Sequence, residues 1–400
     1  MFPKDEILLE IESLALSGEG IARRDGLVYF VEDALPGEEV RTELVKPEKN
    51  LIRTKALEIL RKSPDRAEPV CGHFGSCGGC AFQHLSYERQ LEFKRNALQE
   101  LFDHLGGFRD VPIEPMIPSP KPFHYRNTVA MSVRHQRGEP YLGFIGRDNR
   151  SFIPINHCPI TEEKLNGLLS EVRQEFKSRI PLEKRRQISQ IVIRIGQSGE
   201  VYTSLKKSKD SPTLSANVDG KTFHYSGSSF FQVNFSILEA FVAATKKFLE
   251  PSFDANLLDL YCGVGLFGIC LAGRYGRVLG IEEGEEAVFY ARENAKTNGV
   301  ANTEFVLGRA EEALSQIPDF FGEKLHVILD PPRIGMKKEA IQFLLKLPKI
   351  ERIVYVSCNP ATLIRDLKLF SPRFRIEKIQ PLDLFPQTKH LETIVLLLPS

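Results

Sequence analysis

"LLDLYCGVGLFG", Leu257–Gly268, decides the fold. Its first half is an apolar run broken by one acid, Asp259, and its second half turns through Gly263 and Gly265. A short apolar run ending in glycines reads as a buried strand, and the apolar stretch beyond the turn reads as the start of a helix. Glycine lets the backbone bend tightly against a ligand, and a helix N-terminus offers it unpaired N–H groups. Glu282 closes the next run, "RVLGIE", 23 residues after Asp259. An acid at that place accepts hydrogen bonds from a ribose. A tight turn with a capping acid is the alternative; within a strand–helix–strand unit the nucleotide-like ligand is favoured.

Outward from this stretch, "NLLDLYC", "RVLGIE", "TEFVLG", "HVILDPP" and "RIVYVSC" alternate with helical segments such as "GEEAVFYARENAKTNG" and "NPATLIRDLKLF". That alternation predicts a parallel sheet covered on both faces. No helix separates "FRIEKIQPLDLF" from "HLETIVLLL", so these two are expected to pair antiparallel at one edge. Residues 1–60 are short strands punctuated by Gly and Asp-Gly, the pattern of a small β-barrel. The expected organisation is therefore three units: a barrel over 1–60, a central α+β unit over 61–235 and an α/β unit over 236–400. A helix near 86–105 is a candidate to pack on the last unit.

The chain has 400 residues, 42% hydrophobic and 26% charged, the composition of a soluble globular protein. "MFPKDEILLE" has acids where a signal peptide has an apolar core, and the longest apolar stretch carries Asp259 and spaced glycines. No membrane association and a cytoplasmic location are expected. Net charge is +1 but uneven: residues 1–60 hold 8 Lys/Arg against 13 Asp/Glu, and residues 121–210 hold 17 against 9. The centre of the chain suits a phosphate backbone; the N-terminus does not.

Cys71, Cys77 and Cys80 read C-x5-C-x2-C, and Cys158 follows in "NHCPI". Close thiols plus one distant thiol suit a metal centre, and four thiolates allow either zinc or a [4Fe–4S] cluster. The spacing is not the C-x3-C-x2-C of radical enzymes. Cys358 ends "RIVYVSC"; Asn359 is a helix cap and Pro360 fits the first turn. That puts the thiol at the carboxyl edge of the sheet, where α/β proteins bind ligands, and at a helix N-terminus, which lowers a thiol's pKa. Asp330, in "DPPR", ends another strand at the same lip. Glu392 interrupts an apolar run, and residue by residue it reads as an exposed edge-strand charge. Cys262 and Cys270 read as buried filler.

D-x-x-x-G-x-G resembles the binding loop of S-adenosylmethionine-dependent methyltransferases of the Rossmann-like class I more than that of dehydrogenases. Taken together, "SGEGIARRDGLVYFVEDALPGEEV", "CGHFGSCGGCAFQHLSYERQLEFK", "YRN", "SSFFQVN", "LDLYCGVGLFG", "LDPPR", "VSCNPATLIRDL" and "HLETIVLL" resemble, in order, the RNA uridine-5-methyltransferase family. The match is to its branch with an N-terminal TRAM barrel and an iron–sulfur cluster. The resemblance implies Cys358 as nucleophile and Glu392 as general base, against the edge-charge reading. It implies Gln232, Tyr261, Glu282 and Asp330, with the turn glycines Gly263 and Gly265, as S-adenosylmethionine contacts. It implies Cys71, Cys77, Cys80 and Cys158 as [4Fe–4S] ligands rather than zinc ligands. It further implies an RNA substrate, ribosomal (23S) rather than transfer RNA, and a monomer. Arg134, Arg137, Arg147 and Lys206 are candidates to hold phosphates. An RNA cytosine-5-methyltransferase would have its proline before the cysteine, whereas here it follows, in "SCNP". A non-catalytic RNA-binding protein would not need Cys358 and Glu392.

Overall fold

The computed structural model describes residues 6–47, 51–136, 139–185, 187–205, 212–314, 320 and 324–400. Its first sheet comprises β1 (Ile7–Glu10), β2 (Ser13–Leu14), β3 (Gly20–Arg24), β4 (Leu27–Glu32), β5 (Glu39–Pro47) and β6 (Leu51–Arg61), in the order β1-β5-β6-β4-β3-β2. Only Ile11 and Glu12 separate β1 from β2, so one bent strand borders both edges and the sheet closes on itself. The Asp-Gly between β3 and β4 adopts positive φ at both residues, 52° and 76°, the backbone a two-residue hairpin of this kind requires.

The cysteine segment follows, then α1 (Tyr87–Glu100), which runs on into a π-helical turn, Leu101–Gly106. The second sheet has β7 (Thr128–Gln136), β8 (Glu139–Ile145), β9 (Phe152–Pro154), β10 (Gln190–Ile195) and β11 (Val201–Thr203), in the order β11-β10-β7-β8-β9. Helix α2 (Glu163–Arg179) buries Leu165, Leu169, Val172 and Phe176 against Val129, Met131, Ile191 and Ile193 of that sheet. A short α3 (Leu182–Arg185) leads into β10. A hairpin, β12 (Leu214–Val218) with β13 (Lys221–Tyr225), comes next.

The third sheet holds β14 (Ala255–Leu260), β15 (Val278–Glu282), β16 (Thr303–Leu307), β17 (Lys324–Leu329), β18 (Ile350–Ser357), β19 (Phe374–Leu382) and β20 (Glu392–Pro399). Its order is β16-β15-β14-β17-β18-β20-β19. The first five strands are parallel, β20 runs antiparallel to both neighbours, and β19 forms the edge. The expected antiparallel pair is present, with β20 inserted inside the sheet. Strand β14 is buried along its whole length because helices cover both faces.

Alternate residues of the strands feed two cores. Leu257, Ile328, Val354 and Ile394 face α4 (Leu238–Leu249), α5 (Leu266–Leu271) and α6 (Glu285–Thr297). Leu258, Leu260, Val327, Tyr355 and Val395 face α8 (Lys338–Lys346) and α9 (Pro360–Phe370), with α7 (Ala310–Ala313) beside them. The central unit read from the sequence extends to residue 235. In the structure Leu214, Ala216, Val218, Phe223, Tyr225 and Phe231 share the first of these cores, so that stretch packs with the third sheet. Leu98 and Phe102 of the α1 region share the second. Among the described residues no helix is long and apolar enough to cross a membrane.

Candidate active site and cysteine centre

The order of the third sheet reverses between β14 and β17, and such a switch point opens a crevice at the carboxyl ends of the strands. The turn after β14 stands there. Tyr261, Gly263 and Gly265 all take positive φ, at 63°, 54° and 86°. A Cβ on Gly265 would lie 2.8 Å from Ile269 Cδ1, so glycine is required on two counts. Gly263, by contrast, has open space where a Cβ would be, room that a ligand can use. Glu282 Oε2 accepts from the Gly263 N–H at 3.1 Å and Oε1 from the Gly284 N–H at 2.9 Å, so the acid ties its own strand end to the turn. Asp259 anchors the start of α5 by accepting from the Gly268 N–H at 2.9 Å. Burial raises its carboxyl to about 8.

Gln232, Tyr261, Gly263 and Asp330 line one pocket with Phe230, Phe231 and Val264. Glu282 borders it through Gly263, while Gly265 sits behind the turn against Phe305. Burial, with the Glu282 charge second, raises the Asp330 carboxyl to about 7. Phe230, in "SSFFQVN", lines the pocket and is 67% exposed; no signal in the sequence alone marks a role for it.

Register brings the second group together. Ser357 of β18 pairs with Thr393 of β20, so the next pair of positions sets Cys358 opposite Glu392. Glu392 is 4% exposed, inside the sheet rather than at its edge, which corrects its residue-level reading as a solvated charge. Burial, then the nearby Asp330, pushes its carboxyl well above the usual range, and Arg333 opposes this. Asn359 caps α9 by accepting from the Ala361 N–H at 3.2 Å, as its sequence predicts. The expected lowering of the Cys358 thiol does not dominate: burial pushes it up, Glu392 adds to that, and the Arg333 charge and hydrogen bond pull against both. Arg333 carried no separate role in the sequence; its position in "DPPR" beside Asp330 is the signal that marks it. Its carbonyl is fixed by Asn359 Nδ2 at 3.0 Å and Thr362 Oγ1 at 3.1 Å.

Cys71, Cys77, Cys80 and Cys158 line one cavity of about 250 Å³. All four are free thiols. Cys77 bridges to Gly146 at the end of β8, and Cys158 is held by Asn166 of α2, which accepts from its N–H at 2.9 Å and donates to its carbonyl at 3.1 Å. Among the described residues no three His, Cys, Asp or Glu side chains are placed to hold a metal ion. Burial pushes Cys80 up to about 12 and Cys77 and Cys158 up as well, with the neighbouring thiols adding to each. Of the phosphate candidates, Arg134 is exposed. Arg147 is engaged elsewhere, with Asp33 at 3.1 Å, the Cys80 carbonyl at 3.5 Å and the Phe74 ring at 4.7 Å. Arg137 and Lys206 lie outside the described residues.

Six strands running one way, one reversed strand and a glycine turn at the switch point give this chain an α/β methyltransferase fold. Residues 185–399 match the family tRNA (Uracil-5-)-methyltransferase. An uncharacterized RNA methyltransferase from Gloeobacter violaceus is 33% identical over 98% of this chain and 96% of its own length. One from Clostridium acetobutylicum is 31% identical over 97% and 95%. The crystal structure of Pyrococcus abyssi tRNA (uracil-54, C5)-methyltransferase in complex with S-adenosyl-L-homocysteine is 28% identical, covers 98% of this chain and 99% of that one, and has a TM-score of 0.76. The chain belongs to the tRNA (uracil-5-)-methyltransferase family and is an RNA (uracil-5-)-methyltransferase.

Proposed function

We propose that the protein methylates carbon 5 of a uridine in RNA from S-adenosylmethionine, with Cys358 as nucleophile and Glu392 as base. The antiparallel register that sets Cys358 opposite Glu392 carries the reading. Carbon 5 of uracil is a weak nucleophile. The Cys358 thiolate, favoured by Arg333 against burial, adds to carbon 6, and the C5=C6 electrons move onto carbon 5 and the adjoining carbonyl. Carbon 5 displaces the methyl group, and the S–CH3 pair returns to the donor sulfur. Glu392 then removes the proton left on carbon 5, C5=C6 re-forms, and the C6–S bond breaks to free the thiolate. Because its carboxyl is raised by burial, the ionised form is a strong base. A paired uridine must leave its stack to reach this lip.

Gln232, Tyr261, Gly263, Glu282 and Asp330 are the proposed donor contacts, with Gly265 proposed to shape the turn from behind. The pocket suits the donor through its acceptors and through the open face of Gly263. Cys71, Cys77, Cys80 and Cys158 are proposed to hold a [4Fe–4S] cluster. Four free thiols line one cavity, and burial with the neighbouring thiols raises Cys77, Cys80 and Cys158, a donor set that a cation would deprotonate. The chemistry needs no redox step, so a cluster there would act through structure rather than through electron transfer.

The sequence resemblance favours large-subunit ribosomal RNA, acted on by a monomer. Transfer RNA is the second reading, supported by the likeness to the archaeal uracil-54 enzyme. Mapping 5-methyluridine in ribosomal and transfer RNA with and without the gene separates them. For the chemistry, Cys358→Ala is expected to give no methyl transfer and no adduct. Glu392→Gln is expected to methylate the ring and stall, leaving RNA bound through Cys358. A denaturing gel with radiolabelled S-adenosylmethionine reads both. Normal turnover of Glu392→Gln without a trapped band would move the base elsewhere, with Asp330 the first suspect.

A further inference from the structure

Glu392 does not rest on its own strand alone. The connection from β19 to β20, residues 383–391, is gripped from outside the sheet by the chain that follows the third cysteine. Lys94 is fully buried on α1, and its three donors are all used: Asp383 Oδ1 at 2.7 Å, the Phe385 carbonyl at 3.3 Å and the His390 carbonyl at 3.1 Å. Asp383 directly follows β19 and His390 lies just before Glu392, so one ammonium staples both ends of the connection.

One turn earlier on the same face of α1, Gln90 holds the middle. Its Nε2 donates to Gln387 Oε1 at 2.9 Å and its Oε1 accepts from the Gln387 N–H at 3.2 Å. Gln387 is 2% exposed and takes a positive φ of 67°, a conformation its surroundings must enforce. Its carbonyl receives the N–H groups of Ala81 at 2.8 Å and Phe82 at 3.1 Å, the residues immediately after Cys80. Cys80 Sγ accepts from Gln83 Nε2 at 3.2 Å, and Gln83 Oε1 accepts from the Cys71 N–H at 3.0 Å. A continuous set of short contacts therefore runs from the Cys80 thiol and the Cys71 backbone to His390, two residues before Glu392.

A buried ion pair is weak evidence of stability, since apolar side chains would fill the same space at less cost. What Lys94–Asp383 supplies is geometry: two backbone carbonyls, of Phe385 and His390, fixed at one point. We propose that Gln90, Lys94 and Gln387 are positioning residues through which the four-cysteine centre sets the Glu392 carboxyl for the elimination step. The inference rests on Glu392 being the base. It assigns the centre a task in the last chemical step, beyond folding or RNA contact.

The test compares Gln90→Leu and the charge-free pair Lys94→Met with Asp383→Leu against Glu392→Gln in the otherwise intact protein, with Lys94→Arg as conservative rescue. Single-turnover methyl incorporation, release of methylated RNA, S-adenosylmethionine affinity and thermal unfolding are read separately. The positioning variants are expected to keep donor affinity and methyl incorporation within about twofold of the parent. Release is expected to slow by about ten- to a hundredfold, the scale on which a misplaced group slows a step, and labelled adduct accumulates. Gln83→Leu, which removes the donor to Cys80 Sγ and keeps the thiol, gives the same split, and Lys94→Arg recovers most of the release rate. Incorporation and release falling together, without adduct, would mean a general loss of structure and overturn the assignment. Adduct with Glu392→Gln but not with the positioning variants would overturn it and leave the base intact. No adduct with Glu392→Gln would instead remove the base reading itself.

Discussion

Replacing Glu282 by alanine tests the donor site where its geometry is best defined. The carboxylate has two jobs on one side chain. Oε2 holds the Gly263 N–H at 3.1 Å and Oε1 holds the Gly284 N–H at 2.9 Å, which leaves each oxygen further acceptor capacity. A hydrogen bond to a charged partner contributes about 1.5–3 kcal/mol, less where solvent competes. Glu282 is part-exposed, so loss of the ribose contact is expected to weaken S-adenosylmethionine by about 1–3 kcal/mol, roughly 5- to 150-fold in Kd. Glu282→Gln, which keeps one acceptor oxygen, is expected to fall between the two. Calorimetry measures Kd and thermal unfolding measures the turn. An unfolding temperature that drops while Kd stays at the parent value would show Glu282 to be only the anchor of the turn, and the ribose contact would have to be sought elsewhere.

Protein purified without oxygen is expected to be brown and to carry about four irons per chain, the content of a [4Fe–4S] centre. Stoichiometric zinc without iron would defeat that reading. Asp330, raised to about 7 from 3.8, binds its proton more tightly folded than unfolded, so its contribution to stability falls as pH rises from about 4 through 7. Asp330→Asn is therefore expected to gain stability over the parent at pH 8, less at pH 5 and little at pH 4, and equal gains throughout would contradict its burial. The same titration should favour the cationic donor: the ratio of S-adenosylmethionine to S-adenosylhomocysteine affinity is expected to rise between pH 6 and pH 8, and a flat ratio in calorimetry would place the sulfonium away from Asp330.

The α/β sheet was readable because its strands are apolar runs ended by turn residues, and both signals are local. Asp25-Gly26 announced a hairpin for the same reason: two adjacent residues carry the whole turn. What residues pack against is not local. The period of 214–225 says strand, but nothing in it says that Phe223 and Tyr225 join the core beneath α4 rather than that of the second sheet. Gln90 and Lys94 look like ordinary solvated positions of a charged helix. Only their spacing with Leu98 on one buried stripe hints otherwise, and their partners are almost three hundred residues away. The thiol of Cys358 shows the same limit in its electrostatics. A helix N-terminus can be read from Asn-Pro, whereas the burial and the facing carboxyl that outweigh it come from β20.

The charge balance at the lip bears on the order of the proposed steps. Cys358, Asp330 and Glu392 are three acids in one partly desolvated space, with Arg333 the cation acting on Cys358 and Glu392, so they cannot all be ionised together at modest cost. A bound sulfonium adds a second positive charge and lowers the cost of ionising both the thiol and a carboxyl while the methyl group is still on the donor. Methyl transfer removes that charge, because the donor leaves as a neutral thioether. The negative potential at Glu392 then rises, and its affinity for a proton rises with it, at the step in which it is asked to take one from carbon 5. In the proposed mechanism, burial that would be a liability for a carboxylate in isolation would thus time the base to the consumption of the donor: before transfer the charges would favour thiolate addition, and after it proton abstraction and release of the thiolate.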